Sequence, residues 1–325
     1  MNKHLIALAA LAAAGSALAQ SNVTLYGRLN TSYGHEKNNL TNVGSAQMYS
    51  GDLTSSRWGL RGSEDLGNGL KANFQLEAGF NSSDGTGTAG FDRQSWVGLS
   101  GGFGAVKFGK TDSVFKDVYD LGLTHNVFDS DYTPVKIAYT GVANFSSRPN
   151  NQIRYETPNM SGFSAGVTYA VDEDATVSND ISAFSLRYKA GALDVGFGLQ
   201  NQQNSTAASD RDFQVLSAVY DFGVVRVSGQ FHNAKQANGV KDSDWAAGLS
   251  VPMGALDYTI GYARSTTKTN GATTAKGNAY GMGVMYTLSK RTRVYATYLT
   301  GDVKNAAGVK TADRTQYAVG IRHDF

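Results

Sequence analysis

The feature that most constrains this chain is a two-residue alternation of apolar and polar side chains, which is clearest at the C-terminus. Residues 317–325 read Tyr-Ala-Val-Gly-Ile-Arg-His-Asp-Phe. Because successive side chains of a strand point to opposite faces, most of the apolar residues here share one face. The apolar phase of residues 70–80 obeys the same rule and consists of Leu70, Ala72, Phe74, Leu76, Ala78 and Phe80. Recurrence along nearly the whole chain predicts a closed barrel with lipid outside and water inside.

The N-terminus has the pattern of an export signal rather than of a strand. Lys3 precedes an apolar stretch from Leu5 to Ala14, and residues 17–19 read Ala-Leu-Ala. A positive start, a short apolar centre and a small-residue cleavage site indicate a secretory signal peptide. We therefore expect residues 1–19 to be removed and residues 20–325 to form one barrel domain.

The composition favours an all-β chain and argues against several other classes. The sequence has 38 glycines, 4 prolines and no cysteine, so neither disulfides nor thiolate metal sites can hold it together. Glycine weakens helices, and the many tyrosines and phenylalanines favour pleated surfaces. No later segment approaches the roughly 20 consecutive apolar residues of a membrane helix. A formal net charge of +2, with acids and bases interspersed, argues against nucleic acid as a partner.

Counting the alternating segments between turn signals predicts about 16 strands, an even number as in bacterial barrels, and a barrel of that size keeps an aqueous channel. Residues 91–100 fit poorly, because Arg93 shares its phase with Val97 and Leu99. The longest segment without alternation is 111–150, and loops of this length are usually functional or disordered. Its acids are Asp112, Asp117, Asp120, Asp129 and Asp131. Such a loop could fold into the lumen and narrow the pore opposite a basic wall.

Three segments resemble the general porins of Gram-negative bacteria, and most closely the neisserial and other β-proteobacterial porins. They are residues 23–27 (Val-Thr-Leu-Tyr-Gly), the block 56–70 that begins Ser-Arg-Trp-Gly, and residues 319–325. The resemblance implies a homotrimer of 16-stranded barrels, each with a third loop folded into the lumen. It also implies outer-membrane lipid, lipopolysaccharide and the outer-membrane assembly machinery as partners, with Tyr317 and Phe325 as the C-terminal assembly signal.

Family members place basic side chains on the barrel wall at the constriction and acidic ones on the inward loop. The matching wall positions are Arg28, Arg57, Lys110 and Arg154, and the candidate loop acids are Asp112, Asp117 and Asp120. The alternation itself adds other charges to the lumen phase, namely Arg61, Glu77, Arg187, Arg226 and Arg322. A cation facing lipid at mid-membrane would cost roughly 2–4 kcal/mol, which enforces that phase. Of these, we count Arg61 with the basic wall of the constriction.

These charges predict a water-filled channel for passive passage of ions and small hydrophilic solutes. Opposed cations and anions across a narrow channel create a transverse field that selects ions by sign. Because the wall cations converge, we expect a mild preference for anions. No catalytic residue, cofactor or metal site is predicted.

Three other functions remain open at this point. An outer-membrane enzyme would need a nucleophile activated by a positioned histidine, and none of His35, His125, His232 and His323 has a convincing partner motif. A substrate-specific sugar channel would need a series of lumen-facing aromatics, of which only Tyr26 is evident. An adhesin or structural barrel would have a plugged lumen, so measured conductance distinguishes it from a channel.

Overall fold

The computed structural model of the protein describes residues 22–125, 133–172, 179–204 and 206–325. The expected signal peptide, residues 1–19, lies outside the described residues, as do Gln20 and the loop acids Asp129 and Asp131. The strands of the described part are β1 (Asn22–Asn38), β2 (Val43–Ser50), β3 (Arg57–Gly67), β4 (Leu70–Gly79), β5 (Gln94–Gly101), β6 (Gly104–Lys110), β7 (Gln152–Glu156), β8 (Phe163–Ala170), β9 (Ile181–Ala190), β10 (Leu193–Gln202), β11 (Arg211–Asp221), β12 (Arg226–Gln236), β13 (Val240–Met253), β14 (Leu256–Thr269), β15 (Ala272–Thr287), β16 (Thr292–Asn305) and β17 (Lys310–Asp324). The predicted all-β class is confirmed.

The strands form one closed antiparallel sheet in which neighbours along the chain are paired, except for β2 and β3. β1 closes the ring by pairing with β17, from Arg28 opposite Asp324 to Asn38 opposite Arg314. β2 pairs with residues 31–38 of β1, and β3 pairs with residues 22–28 of the same strand. The two strands therefore share one position in the ring. The segment 51–56 between them is largely buried. The 17 strands therefore occupy 16 positions, which confirms the predicted barrel.

The outward face is apolar and the inward face is polar, as the alternation predicts. On β1, Leu25 and Tyr33 are 59% and 57% exposed, whereas Asn30 and Ser32 are buried. A water-soluble protein would show the reverse, so the exposed apolar band is the surface that lipid covers. Arg93, which does not fit the alternation of residues 91–100, precedes the first residue of β5. Its side chain therefore need not follow the inward and outward alternation of that strand.

One end of the barrel carries only short connections, and we call it the turn end; the other is the loop end. The loop end has long connections at 80–93, 111–151, 171–180 and 203–210. Its other connections, 39–42, 237–239, 270–271 and 306–309, are as short as turns. Outer-membrane barrels usually have long loops at one end, and here four of the eight connections at the loop end are long. The reason is local, because residues such as Asn270, with φ of 50°, allow tight hairpins.

The described residues of the longest loop, 111–151, include two helices, α1 (Val114–Leu123) and α2 (Val135–Ala138). Neither helix of the described ranges is long and apolar enough to cross a membrane. Both lie inside the ring: α1 packs on β8 to β13, and α2 packs on β14 to β16.

Candidate pore constriction

Helix α1 is held against the inner wall by its apolar face and its N-cap. The Ser113 side chain accepts a hydrogen bond from the Lys116 backbone N–H (3.2 Å) and itself donates to Gln200 of β10 (2.9 Å). Such a cap satisfies one of the free N–H groups of the first turn. The buried side chains of the helix are Val114, Phe115, Val118 and Leu121. They recur with helical spacing, so one side of α1 faces the wall and the other faces the lumen.

Small residues on the wall make room for the loop. A Cβ at Gly166 of β8 would lie 2.8 Å from Val114, and a Cβ at Gly277 of β15 would lie 1.9 Å from the Ala138 carbonyl oxygen. Beyond α2, the Asp242 carboxylate accepts from the Val142 backbone N–H at 2.5 Å. The described helices of the loop thus pack along β8 to β16, away from the opposite wall.

A water-accessible cavity of about 550 Å³ lies beside the lumen-facing side of this loop. Its charged lining residues are Arg93, Lys116, Asp120, Lys136 and Arg148. Four of these five residues are lysines or arginines. Lys116 forms an ion pair with Asp120, one helical turn away. Burial acts to lower the pKa of Lys116, but the attraction of Asp120 and Asp112 outweighs it and raises that pKa above its usual value. Lys116 therefore stays charged.

The wall opposite the loop carries a cluster of arginines with few acids. Arg28 and Arg57 are paired residues of β1 and β3, and both donate to the Thr54 hydroxyl, at 3.3 and 2.7 Å. Glu77 of β4 accepts from Arg93 at 2.7 Å and lies 3.7 Å from Arg57. Its other oxygen accepts from the Tyr26 hydroxyl at 3.0 Å. The Glu77 carboxylate thus interacts with two guanidinium groups, those of Arg57 and Arg93.

The basic cluster continues toward the turn end. Asp324 of β17 lies 2.7 Å from both Arg28 and Arg322, and 3.5 Å from Arg293. All four side chains belong to the inward phase of their strands. A stripe of positive charge therefore runs along β1, β3, β16 and β17.

The three predicted loop acids do not form an acidic row facing the basic wall. Asp117 pairs with Arg154, whose Nη1 also donates to the Asp112 carbonyl oxygen at 2.7 Å. The Asp112 carboxylate lies 2.6 Å from Arg148. Only Asp120 lines the cavity. Arg154 is itself buried, so it joins the base of the loop to the wall rather than facing the channel.

Two of the predicted wall cations lie away from the cluster. Lys110 is the last residue of β6 on the outward phase of Phe108, and its ammonium donates to the Arg148 carbonyl (3.1 Å) and to Asn150 (2.6 Å). Lys110 therefore lies apart from the arginines of β1 and β3, beside the loop residue Arg148. Arg61 lies nearer the turn end, where its guanidinium is 5.0 Å from the centre of the Tyr26 ring.

The residues that sequence reasoning missed are Arg93, Lys116, Lys136 and Arg148. Each lies outside the strands, where the two-residue alternation gives no information. For Lys116 a signal was present, because the apolar spacing of α1 places it on the lumen side of a helix.

Other predicted residues lie at the barrel seam. Phe325 exchanges two backbone hydrogen bonds of 3.0 Å with Gly27 of β1, and its ring covers that glycine, where a Cβ would lie 2.2 Å away. Tyr317 is exposed on the outward face and stacks on His35 at 5.5 Å. The last residue thus completes the ring.

The four described histidines, His35, His125, His232 and His323, do not mark a metal site. In the described ranges, no cluster of three or more His, Cys, Asp or Glu side chains is placed to hold a metal ion. His232 and Asp244 are a fully buried pair at 3.0 Å behind the loop, and Tyr139 stacks on the imidazole at 5.9 Å. This pair belongs to the seat of the loop.

Known proteins are similar to this chain in both sequence and fold. A model of the Gram-negative porin family matches residues 6–306. Outer membrane porin protein 32 of Delftia acidovorans is 34% identical over all of both chains, and major outer membrane protein P.IB of Neisseria meningitidis serogroup B is 32% identical over all of both. The solved anion-selective porin from Comamonas acidovorans has a TM-score of 0.80 at 30% identity, covering 94% of this chain and 100% of its own. A trimer form of Vibrio cholerae OmpT shares the fold, with a TM-score of 0.71 at 17% identity, 94% of this chain and 99% of its own.

Proposed function

This chain belongs to the Gram-negative porin family and lies in the bacterial outer membrane, and we propose that it is a passive diffusion channel that favours small hydrophilic anions. The carrying observation is the excess of cations around the constriction. Arg28 and Arg57 both donate to Thr54, Arg57 and Arg93 share the Glu77 carboxylate, and Arg28 shares Asp324 with Arg322 and Arg293. On the loop side the cavity is lined by Lys136 and by Lys116, which pairs with Asp120.

The channel acts by electrostatics and width alone. Water fills a lumen of this size, so an ion keeps most of its hydration. The basic stripe raises the local concentration of anions and lowers that of cations. A dipolar solute is oriented by the same field, whereas an apolar solute must displace ordered water. No bond is made or broken, and we propose neither catalysis nor a cofactor.

Within this proposal the predicted site residues have different roles. Arg28 and Arg57 form the selective wall together with Arg93, whereas Asp117 and Arg154 hold the loop in place. Glu77 limits the net charge of the wall.

The proposed assembly is a homotrimer in which each barrel has its own pore. The trimer form of the similarly folded OmpT supports it. Phe325, which completes the ring, is the proposed signal for the outer-membrane assembly machinery.

A planar-bilayer recording of the purified full chain tests the function. Trimers should insert as groups of three equal conductance steps, and a tenfold KCl gradient should give a reversal potential of the sign for chloride preference. A reversal potential for potassium preference would overturn the selectivity. An absence of steps would overturn the channel itself and favour a plugged, structural barrel.

A further inference from the structure

Three aromatic rings of the loop line the cavity of about 550 Å³ beside the constriction. They belong to Tyr119 of α1, to Tyr139, which directly follows α2, and to Phe145, and all three are partly exposed. Leu123 and Val135 extend this apolar surface. We call the three rings the aromatic patch. The passage of small ions needs no such surface, so the patch indicates a further property of the cavity.

The ring of Tyr139 is held from behind, which leaves its other side to the cavity. One side of the ring stacks on His232, with centroids 5.9 Å apart and planes within 6° of each other. His232 is fully buried. The Tyr139 hydroxyl accepts a hydrogen bond from the Gln230 side-chain amide at 3.0 Å, which fixes the ring within its plane. The partial exposure of Tyr139 therefore comes from the side away from His232.

The other two rings support each other edge to face. The centroids of Tyr119 and Phe145 are 4.9 Å apart at an interplanar angle of 62°. Behind them, Phe115 lies 4.8 Å from Phe145 at 75°, and it is fully buried. Aromatic rings prefer such edge-to-face or offset contacts. The patch is therefore preformed, and a planar ring that enters the cavity can continue the same packing.

Basic side chains border the aromatic patch. Four bases line the cavity, namely Arg93, Lys116, Lys136 and Arg148. Three carboxylates pair with them, those of Glu77, Asp120 and Asp112. Bases thus outnumber their acidic partners by one. Lys136 is exposed and precedes Tyr139 by three residues, a spacing that places two side chains on the same side of a helical turn. One anionic group of a solute would balance the excess base.

We propose that this cavity binds small aromatic monocarboxylates, with the ring on the aromatic patch and the carboxylate toward Lys136. The volume of about 550 Å³ falls within the range of roughly 300–1,000 Å³ that is typical of sites for small molecules. A few charged groups beside a mainly apolar surface are also typical of such sites. This inference rests on the proposed function, because a solute reaches the cavity through the channel, and it adds a solute class to that function.

A titration of the folded full chain in detergent at pH 7.5, followed by broadening of ligand NMR signals, tests the proposal with benzoate as the probe. Empty detergent micelles give the background. Benzoate should bind about tenfold more tightly than acetate, which lacks the ring. It should bind about threefold more tightly than cyclohexanecarboxylate, which has the same charge and a similar size but no aromatic surface. Benzamide, which has the ring without the charge, should bind more weakly than benzoate.

Two variants of Tyr139 isolate the contribution of its ring. Tyr139→Leu and Tyr139→Phe both lose the hydrogen bond from Gln230, but only the first loses the ring. Tyr139→Leu should weaken benzoate binding about fivefold and abolish the preference over cyclohexanecarboxylate. Tyr139→Phe should bind benzoate as wild type does.

A matched pair of lysine variants tests the charge. Lys136→Gln should weaken the binding of benzoate about twofold and leave that of benzamide unchanged. Lys241→Gln is the control, because Lys241 is exposed on the outward side of β13 next to the buried, inward Asp242. This control should change neither affinity.

Several outcomes would overturn the proposal. Equal affinities of the wild type for benzoate and cyclohexanecarboxylate would exclude recognition of an aromatic ring. Equal losses in Tyr139→Leu and Tyr139→Phe would assign the effect to the hydrogen bond that holds the loop. Binding of glucose as tight as that of benzoate would replace the solute class by sugars.

Bilayer recordings separate this inference from the proposed function. Benzoate added to one side should reduce the KCl current of the wild type, and the reduction should be weaker in Tyr139→Leu. Benzoate binding without any reduction of the current would place the ligand outside the conduction path and overturn the assignment to this cavity. A channel that conducts KCl normally but binds no benzoate refutes this inference alone. A barrel that binds benzoate through Tyr139 but does not conduct refutes only the proposed function.

Discussion

Replacement of Arg93 and replacement of Glu77, the two partners of one ion pair, should shift ion selectivity in opposite directions. The two side chains are 2.7 Å apart, so a permeating ion meets them at nearly the same depth. Arg93→Gln removes a positive charge and should weaken the preference for anions. Glu77→Gln removes a negative charge, leaves Arg57 and Arg93 without their shared carboxylate, and should strengthen it.

The magnitude follows from the charge and its distance from the ion. An ion about 5 Å from a guanidinium in water has an interaction energy of ~0.8 kcal/mol, which screening at 0.1 M salt lowers to ~0.5 kcal/mol. Because one charge attracts anions and repels cations equally, the chloride-to-potassium permeability ratio should change about fivefold for each variant. At 1 M salt, where the Debye length is about 3 Å, most of the effect should vanish.

Reversal potentials in a KCl gradient across a planar bilayer measure this ratio. Arg264→Gln is the matched control, because Arg264 is exposed on the outward phase of β14 and its loss should leave the ratio unchanged. Shifts of the same sign in the two test variants, or a shift as large in the control, would refute a local electrostatic origin of selectivity.

Three further results are expected. Arg154→Ala removes the partner of Asp117 and should loosen the loop, giving noisier single-channel currents, whereas quiet currents would contradict its anchoring role. Gly277→Val should push α2 from the wall, because even a Cβ would lie 1.9 Å from the Ala138 oxygen; unchanged conductance would show that the wall yields. Since burial raises the pKa of Asp117, it should gain a proton above the usual range of aspartate, and reversal potentials should show anion preference rising as the pH falls from 7 to 4. A preference that stays constant over this range would exclude titration of the loop acids.

The barrel wall was predictable because lipid and water impose opposite demands on alternate residues. The same rule separates two lysines of β6, of which the family resemblance implies Lys110 for the basic wall. Phe108 faces outward, so Lys110, two residues later, shares its phase, and Lys107 belongs to the lumen. The structure pairs Lys107 with Glu156 at 3.1 Å. Alternation alone would therefore have identified the inward lysine.

The constriction was less predictable because its loop obeys a helical period. In α1, residues one turn apart share a side, which sends Lys116 and Asp120 together toward the lumen. Asp117 turns toward β7 and meets Arg154. Treating all the acids as one charged row ignored this rotation. The side on which each charged residue of this loop lies can be assigned only once the bounds of helix α1 are known.

The side on which the loop docks decides the charge of the open channel. The inward phase of the barrel is not uniformly polar, since along β13 to β17 it includes buried Ala246, Ala263, Ala279 and Ala318, against which α2 packs. Small side chains offer a seat for a loop, whereas the arginines of β1 and β3 would lose hydration beneath it. The described part of the loop therefore packs on the alanine side, away from the arginines of β1 and β3. Selectivity thus depends as much on where small residues lie in the wall as on the charges themselves.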